Sequence, residues 1–102
     1  MTTQRGYLFA ELDVTDARHF YDEYMPRVRP VLAQFGAKFL IGTDAPEVME
    51  GERHVKRVVF IEFDSVARAR EFYHSPQYQA VIGYRLDSAN THLYILDGLP
   101  SA

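Results

Sequence analysis

From Val55 to Phe63 the chain alternates so that Arg57, Val59, Ile61 and Phe63 point one way and Val58, Phe60 and Glu62 the other, the period of a β-strand. Both sets are largely apolar. The stretch from Gly6 to Asp13 alternates in the same way, with Tyr7, Phe9 and Glu11 on one face and Leu8, Ala10 and Leu12 on the other. Ala37 to Thr43 and Thr91 to Leu96 read as two further strands. Between the first two strands Phe20, Tyr24, Val28, Val31 and Phe35 recur at three- and four-residue steps, one face of a helix over 16–35. Thr15 or Asp16 supplies its N-cap and Gly36 its C-terminal stop. Pro26 and Pro30 lack the amide proton and crowd the preceding turn, so a kink or break is expected within 24–29.

After the third strand, Asp64 or Ser65 caps a helix through Tyr73 that turns Val66, Ala69 and Phe72 or Tyr73 inward. Ser75-Pro76 restarts the chain as N-cap and first helical residue, opening a short third helix that reaches about Leu86. The segment 44–54 is acidic and irregular, with Glu47, Glu50, Glu52 and a turn at Gly51. Setting the short helix aside, the order is βαββαβ, which predicts a single ferredoxin-like α+β domain over 1–102 with a four-stranded antiparallel sheet and both long helices on one face. The other sheet face is then bare, and either strand set at 58–63 would leave it apolar. A second copy of the chain is the expected cover, which makes a homodimer through the sheet face.

Composition narrows the function more than the fold. The chain of 102 residues has no cysteine, which removes disulfides, thiolate metal sites and cysteine nucleophiles. Residues 1–7 lack the apolar run of a secretion signal, and a cytoplasmic location is expected. The longest purely apolar stretch, Val58 to Ile61, is too short to span a membrane. Acids and bases are interleaved at a net charge of −3, without the basic stripe that nucleic acid needs. Seven tyrosines bring seven hydroxyls, each in need of water or a partner.

The chain also carries Gly6-Tyr7 opening the first strand, Asp13-Val14-Thr15-Asp16 entering the helix, and the proline-interrupted run from Tyr24 to Gly36. Val48 to Gly51, Arg57 to Glu62-Phe63 with Ser65, and Phe72-Tyr73-His74-Ser75-Pro76-Gln77-Tyr78 with Arg85 follow. Together these resemble the uncharacterised bacterial family known as domain of unknown function 1330, within the dimeric α+β barrel superfamily. The resemblance implies a ferredoxin-like fold and a face-to-face dimer. Relatives in that superfamily include cofactor-free monooxygenases, lactone isomerases, haem-binding peroxidases and plain ligand-binding modules, so the fold alone does not select an activity.

His19, Asp22 and Glu23 share one helix face at metal-ligand spacing, but no second histidine-rich element completes a site, and a solvated polar face opposite Phe20 and Tyr24 is the preferred reading. His54, His74 and His92 show no ligand spacing, and no haem or phosphate-loop motif occurs; neither metal, haem nor flavin is expected. The densest polar and aromatic cluster is Tyr73, His74, Ser75 and Tyr78 with Arg85, beside the expected kink at Tyr24. Arg85 suits a carboxylate, and Tyr24, His74 or Tyr78 a proton transfer. The same residues also read as a cap, a packed ring and a paired cation. Glu62 shares its strand face with Val58 and Phe60, an odd place for a charge, and is expected to hold Arg85 inward and border the pocket with it. Two readings stay open: a cofactor-independent enzyme acting by proton transfer or oxygenation on a small aromatic or acidic metabolite, and a non-catalytic ligand-binding or structural homodimer.

Overall fold

The computed structural model describes residues 4–100. Its strands are β1 (Gly6–Val14), β2 (Lys38–Thr43), β3 (Arg57–Phe63) and β4 (Ala89–Asp97), in one antiparallel sheet of order β2-β3-β1-β4. That order places the two central strands together and makes β2 and β4 the edges, the split βαβ arrangement expected from the pattern. The helical segments are α1 (Ala17–His19), a π-helical turn (Phe20–Tyr24), α2 (Met25–Gln34), α3 (Val66–His74), α4 (Pro76–Gln79) and α5 (Ile82–Leu86). Leu8, Ala10 and Leu12 of β1 and Val59, Ile61 and Phe63 of β3 are buried together with Phe20, Tyr24, Val28, Leu32, Ala69, Phe72 and Tyr78 from the helical segments. The core therefore lies on the helix side of the sheet.

The strand register settles which apolar set stays bare. Tyr7 pairs with Glu62, Phe9 with Phe60 and Glu11 with Val58, while Phe9 also faces Tyr94 across β4. Directly opposed residues share a face. Tyr7, Phe9, Phe60 and Tyr94 consequently form an aromatic layer on the outer face, with Tyr7 stacked on Phe60 at 5.0 Å and Phe9 on Tyr94 at 6.2 Å between ring centres. Ile41 of β2, opposite Phe60, extends it.

The first helix departs from expectation in an instructive way. It does not break at Pro26 or Pro30; it widens one turn earlier, where the Met25 amide reaches back to the Phe20 carbonyl, five residues away. Pro26 has no amide to give to the Asp22 carbonyl, and its ring would crowd that carbonyl in a regular α-turn. The wider π-turn relieves the crowding while the chain stays helical. Asp16, rather than Thr15, caps the start, its side chain accepting from the His19 amide. Gly36 ends the run at a φ of 71°, as a left-handed stop requires. The helix expected from Ser75 to Leu86 is two shorter pieces, α4 and α5, separated at Ala80-Val81.

Candidate functional site

Between the helices and the inner sheet face lies a cavity of about 40 Å³. Its walls are apolar side chains such as Leu8, Phe20, Val28, Ile61 and Leu93, and its polar groups come from three residues, Tyr24, Tyr78 and Arg85. The Tyr24 and Tyr78 hydroxyls are 3.0 Å apart, and Arg85 Nε donates to the Tyr78 hydroxyl at 3.2 Å. All three side chains are buried, Arg85 to 5% exposure. Among the described residues no carboxylate lies within ion-pair distance of the guanidinium.

Local structure explains each position. Tyr24 closes the π-turn that Pro26 imposes, which sends it inward beside Phe20, ring centres 5.3 Å apart. Tyr78 is set by Ser75: the Ser75 hydroxyl donates to the Phe72 carbonyl at 2.7 Å and accepts the Tyr78 amide at 3.1 Å. One hydroxyl thus ends α3 and begins α4. Arg85 comes from α5, whose separation from α4 turns it toward the sheet.

The electrostatics follow from this burial. Desolvation, and then the neighbouring Tyr78 oxygen, push the Tyr24 pKa well above its ordinary value, although Arg85 pulls the other way. Tyr24 therefore remains a proton carrier and hydrogen-bond donor. Burial works against the charge of Arg85, but the Tyr78 and Tyr24 oxygens more than offset it, so the guanidinium stays cationic. A cation held in a nearly apolar cavity, with two phenols in line behind it, is arranged to receive an anion.

The expected site residues separate into three groups. Tyr24, Tyr78 and Arg85 converge. Tyr73 and His74 lie outside the cavity, along an open groove that Arg85 also lines, and His74 is exposed. Ser75 is buried and occupied by its two backbone bonds, so it positions Tyr78 and has no free hydroxyl for a ligand.

Glu62 is a correction: it does not hold Arg85. Its carboxylate accepts from the Tyr7 hydroxyl at 3.3 Å on the outer sheet face, opposite Lys38, with the sheet between it and the guanidinium. The alternation had placed Glu62 on the Val58 and Phe60 face correctly; the error lay in bringing Arg85 to that face, when the helices cover the other.

At the metal candidates, Glu23 pairs with Arg27 at 2.6 Å and the His19 ring lies against Tyr84. Among the described residues no three of His, Asp and Glu come together around a common point. Sequence reading missed the cluster at the far end of the inner face, where Asp44 accepts from Arg57 at 2.7 Å and from Tyr21 at 2.9 Å. The alternation had placed Arg57 on one strand face with Val59, Ile61 and Phe63, an odd place for a charge without a partner. That was the signal available. Arg70 was missed as well, though it stands one helical turn before His74.

A family model described as Domain of unknown function (DUF1330) matches residues 5–99. No functionally curated protein matches the chain. Among solved structures, a protein of unknown function from Rhodopseudomonas palustris superposes with a TM-score of 0.77 at 20% identity, over 95% of this chain and 84% of that one. A candidate antibiotic biosynthesis monooxygenase from Caulobacter crescentus superposes at 0.56 with 13% identity, over 96% and 92%. A protein from Bacteroides fragilis, described as dimeric, of unknown function and with a ferredoxin-like fold, gives 0.54 at 12% identity, over 92% and 93%. At such identities the structural likeness speaks to the fold, ferredoxin-like α+β, and the match along nearly the whole sequence makes the chain a member of the DUF1330 family.

Proposed function

We propose that this chain is a small cofactor-independent enzyme that acts by proton transfer or oxygenation on a small aromatic or acidic metabolite, as a homodimer joined through the bare sheet face. The observation that carries the catalytic reading is the buried Arg85 with no carboxylate, in line with Tyr78 and Tyr24 on an apolar cavity. Arg85 holds the enolate or phenolate of a substrate whose own acidity supplies the reactive anion. Water carries the departing proton to solvent. Reprotonation at carbon by Tyr78, resupplied through Tyr24, gives an isomer. Addition of dioxygen to the same carbanion, then uptake of a proton and loss of water, leaves a carbonyl. The fold shared with the Caulobacter crescentus candidate monooxygenase is consistent with the second route.

Methyl acetoacetate is a suitable probe, its exchangeable methylene followed by NMR in deuterium oxide and its oxidation by oxygen uptake. The protein should accelerate one of the two processes, and Arg85→Met should abolish the effect. A second reading, a non-catalytic small-ligand-binding or structural homodimer, is favoured by the small size of the cavity, about 40 Å³. Binding of the probe with neither exchange nor oxygen uptake would establish it.

A further inference from the structure

Arg85 and Leu93 line the inner cavity and also the open groove of about 560 Å³ outside it, so they form the wall between the two spaces. The groove is completed by Arg70, Tyr73, His74, Leu86, Thr91 and Ile95, and no acidic side chain lines it. The chain as a whole carries 14 acids against 11 lysines and arginines. Arg5, Arg27, Arg53, Arg57 and Arg68 each have a carboxylate partner, whereas among the described residues Arg18, Arg29, Arg70 and Arg85 have none, and of these four Arg70 and Arg85 line the groove. Asp97 lies in a neighbouring recess that Arg70 also borders, but it accepts from Gln4. Arg70 and His74 are four residues apart on α3 and so share one helix face. The Thr91 hydroxyl is buried in the groove without a hydrogen-bond partner among the described residues.

We infer that this groove is the outer half of the same site and that Arg70 holds a second anionic group of the ligand, so that the substrate class is a small organic acid with two acidic groups. The inference rests on the reading that Arg85 receives an anion. The group at Arg85 enters the apolar cavity, where the phenols reach it. The remote carboxylate stays in the groove against Arg70, with His74 beside it. Leu86, Leu93 and Ile95 give the connecting carbons an apolar floor. Binding energy from a non-reacting end of the ligand then orients the reacting end. Arg70 is here a specificity residue. Its exposure keeps its replacement from disturbing the core.

The test is an NMR titration that follows the Arg85 Nε proton and the α3 and β4 amides with malonate, succinate and glutarate, against butyrate as the monoanion. The best-fitting dicarboxylate should bind about five-fold tighter than butyrate, the ratio that one partly exposed guanidinium–carboxylate contact supplies. Arg70→Gln should erase that preference, bringing the dicarboxylate to the affinity of butyrate for the same variant. Arg85→Gln should weaken both. Equal binding of dicarboxylates and butyrate, or a preference that survives Arg70→Gln, overturns the outer half while leaving Arg85 as an anion site. No shift of the Arg85 signal with any of these anions overturns both.

Discussion

Arg85 carries a charge where the fold offers it a phenol and no carboxylate. An interior cation without an anion is a cost to stability, and proteins keep such groups where function needs them. Arg85→Met, which retains most of the volume and removes the charge, should therefore unfold in urea within about 1 kcal/mol of the wild type or above it. A loss of ~3–5 kcal/mol, the penalty for breaking a buried ion pair, would contradict this. Tyr24 makes the complementary prediction. Its folded pKa is raised above the unfolded value of 10.0, so its contribution is complete below pH 10.0 and is lost as the pH climbs through the folded value. Above pH 10.0 the unfolded chain has released that proton and the folded chain has not. Wild-type stability should then fall more steeply with pH than that of Tyr24→Phe, by up to about 1.4 kcal/mol per pH unit. Matching slopes in urea titrations at pH 9.5 to 11 (an alkaline window of roughly this width suffices) would remove Tyr24 as the source.

Elements position these residues through their ends more than through their lengths. α3 and α4 are joined at Ser75, whose hydroxyl serves both the last carbonyls of one and the first amides of the other. Ser75→Ala leaves both without that partner in a buried setting. It should cost about 1–2 kcal/mol in urea unfolding and loosen Tyr78, seen as faster amide exchange at 78. A silent substitution would show that backbone geometry alone holds the corner. At the other end of α3, Gly6 of β1 passes against the Ser65 carbonyl so closely that a Cβ would overlap the backbone there. Glycine is required at this point for approach, not for an unusual φ. Gly6→Ala should destabilise by about 2–3 kcal/mol, because only the strand or the helix start can yield. The π-turn before Pro26 belongs to the same account, since it brings Tyr24 to the cavity without ending the helix.

At the scale of the molecule the sheet has one face covered by helices and one that none of the described residues covers. Tyr94, Leu96 and Ile41 are 49%, 44% and 45% exposed on that face, around the Tyr7, Phe9 and Phe60 layer. A contiguous apolar patch of this kind calls for a partner. No described helix is long and apolar enough to cross a membrane. The homodimer predicted from this face should give twice the 11.8 kDa chain mass by light scattering at micromolar concentration. Phe60→Asp should return a folded monomer, since the charge would sit in the interface. Ile61→Asp should unfold the chain instead, because Ile61 is 5% exposed on the core side. A wild-type monomer that binds no dye for exposed apolar surface would refute the dimer.

The sequence alone determined the strands, their faces and the element order, because side-chain alternation, caps and proline positions are local consequences of backbone geometry. Leu8, Ala10 and Leu12 were separated from Tyr7, Phe9 and Glu11 before any fold was known, and Ser65, Ser75 and Gly36 were read as ends from their chemistry. Tyr24, Tyr78 and Arg85 were likewise legible as candidates. Their convergence was not, since 54 positions separate Tyr24 from Tyr78 and no local rule relates them. Only the tertiary structure decided which face of β3 the helices cover. Alternation is symmetric between the two sides of a strand, and packing is what breaks that symmetry. The same decision put Glu62 with Tyr7 on the outer face and left Arg85 without an acid on the inner one. An ion-pair partner lies in space rather than in sequence, and it was the sheet, placed between the two charges, that turned Arg85 from one half of a pair into an open cation.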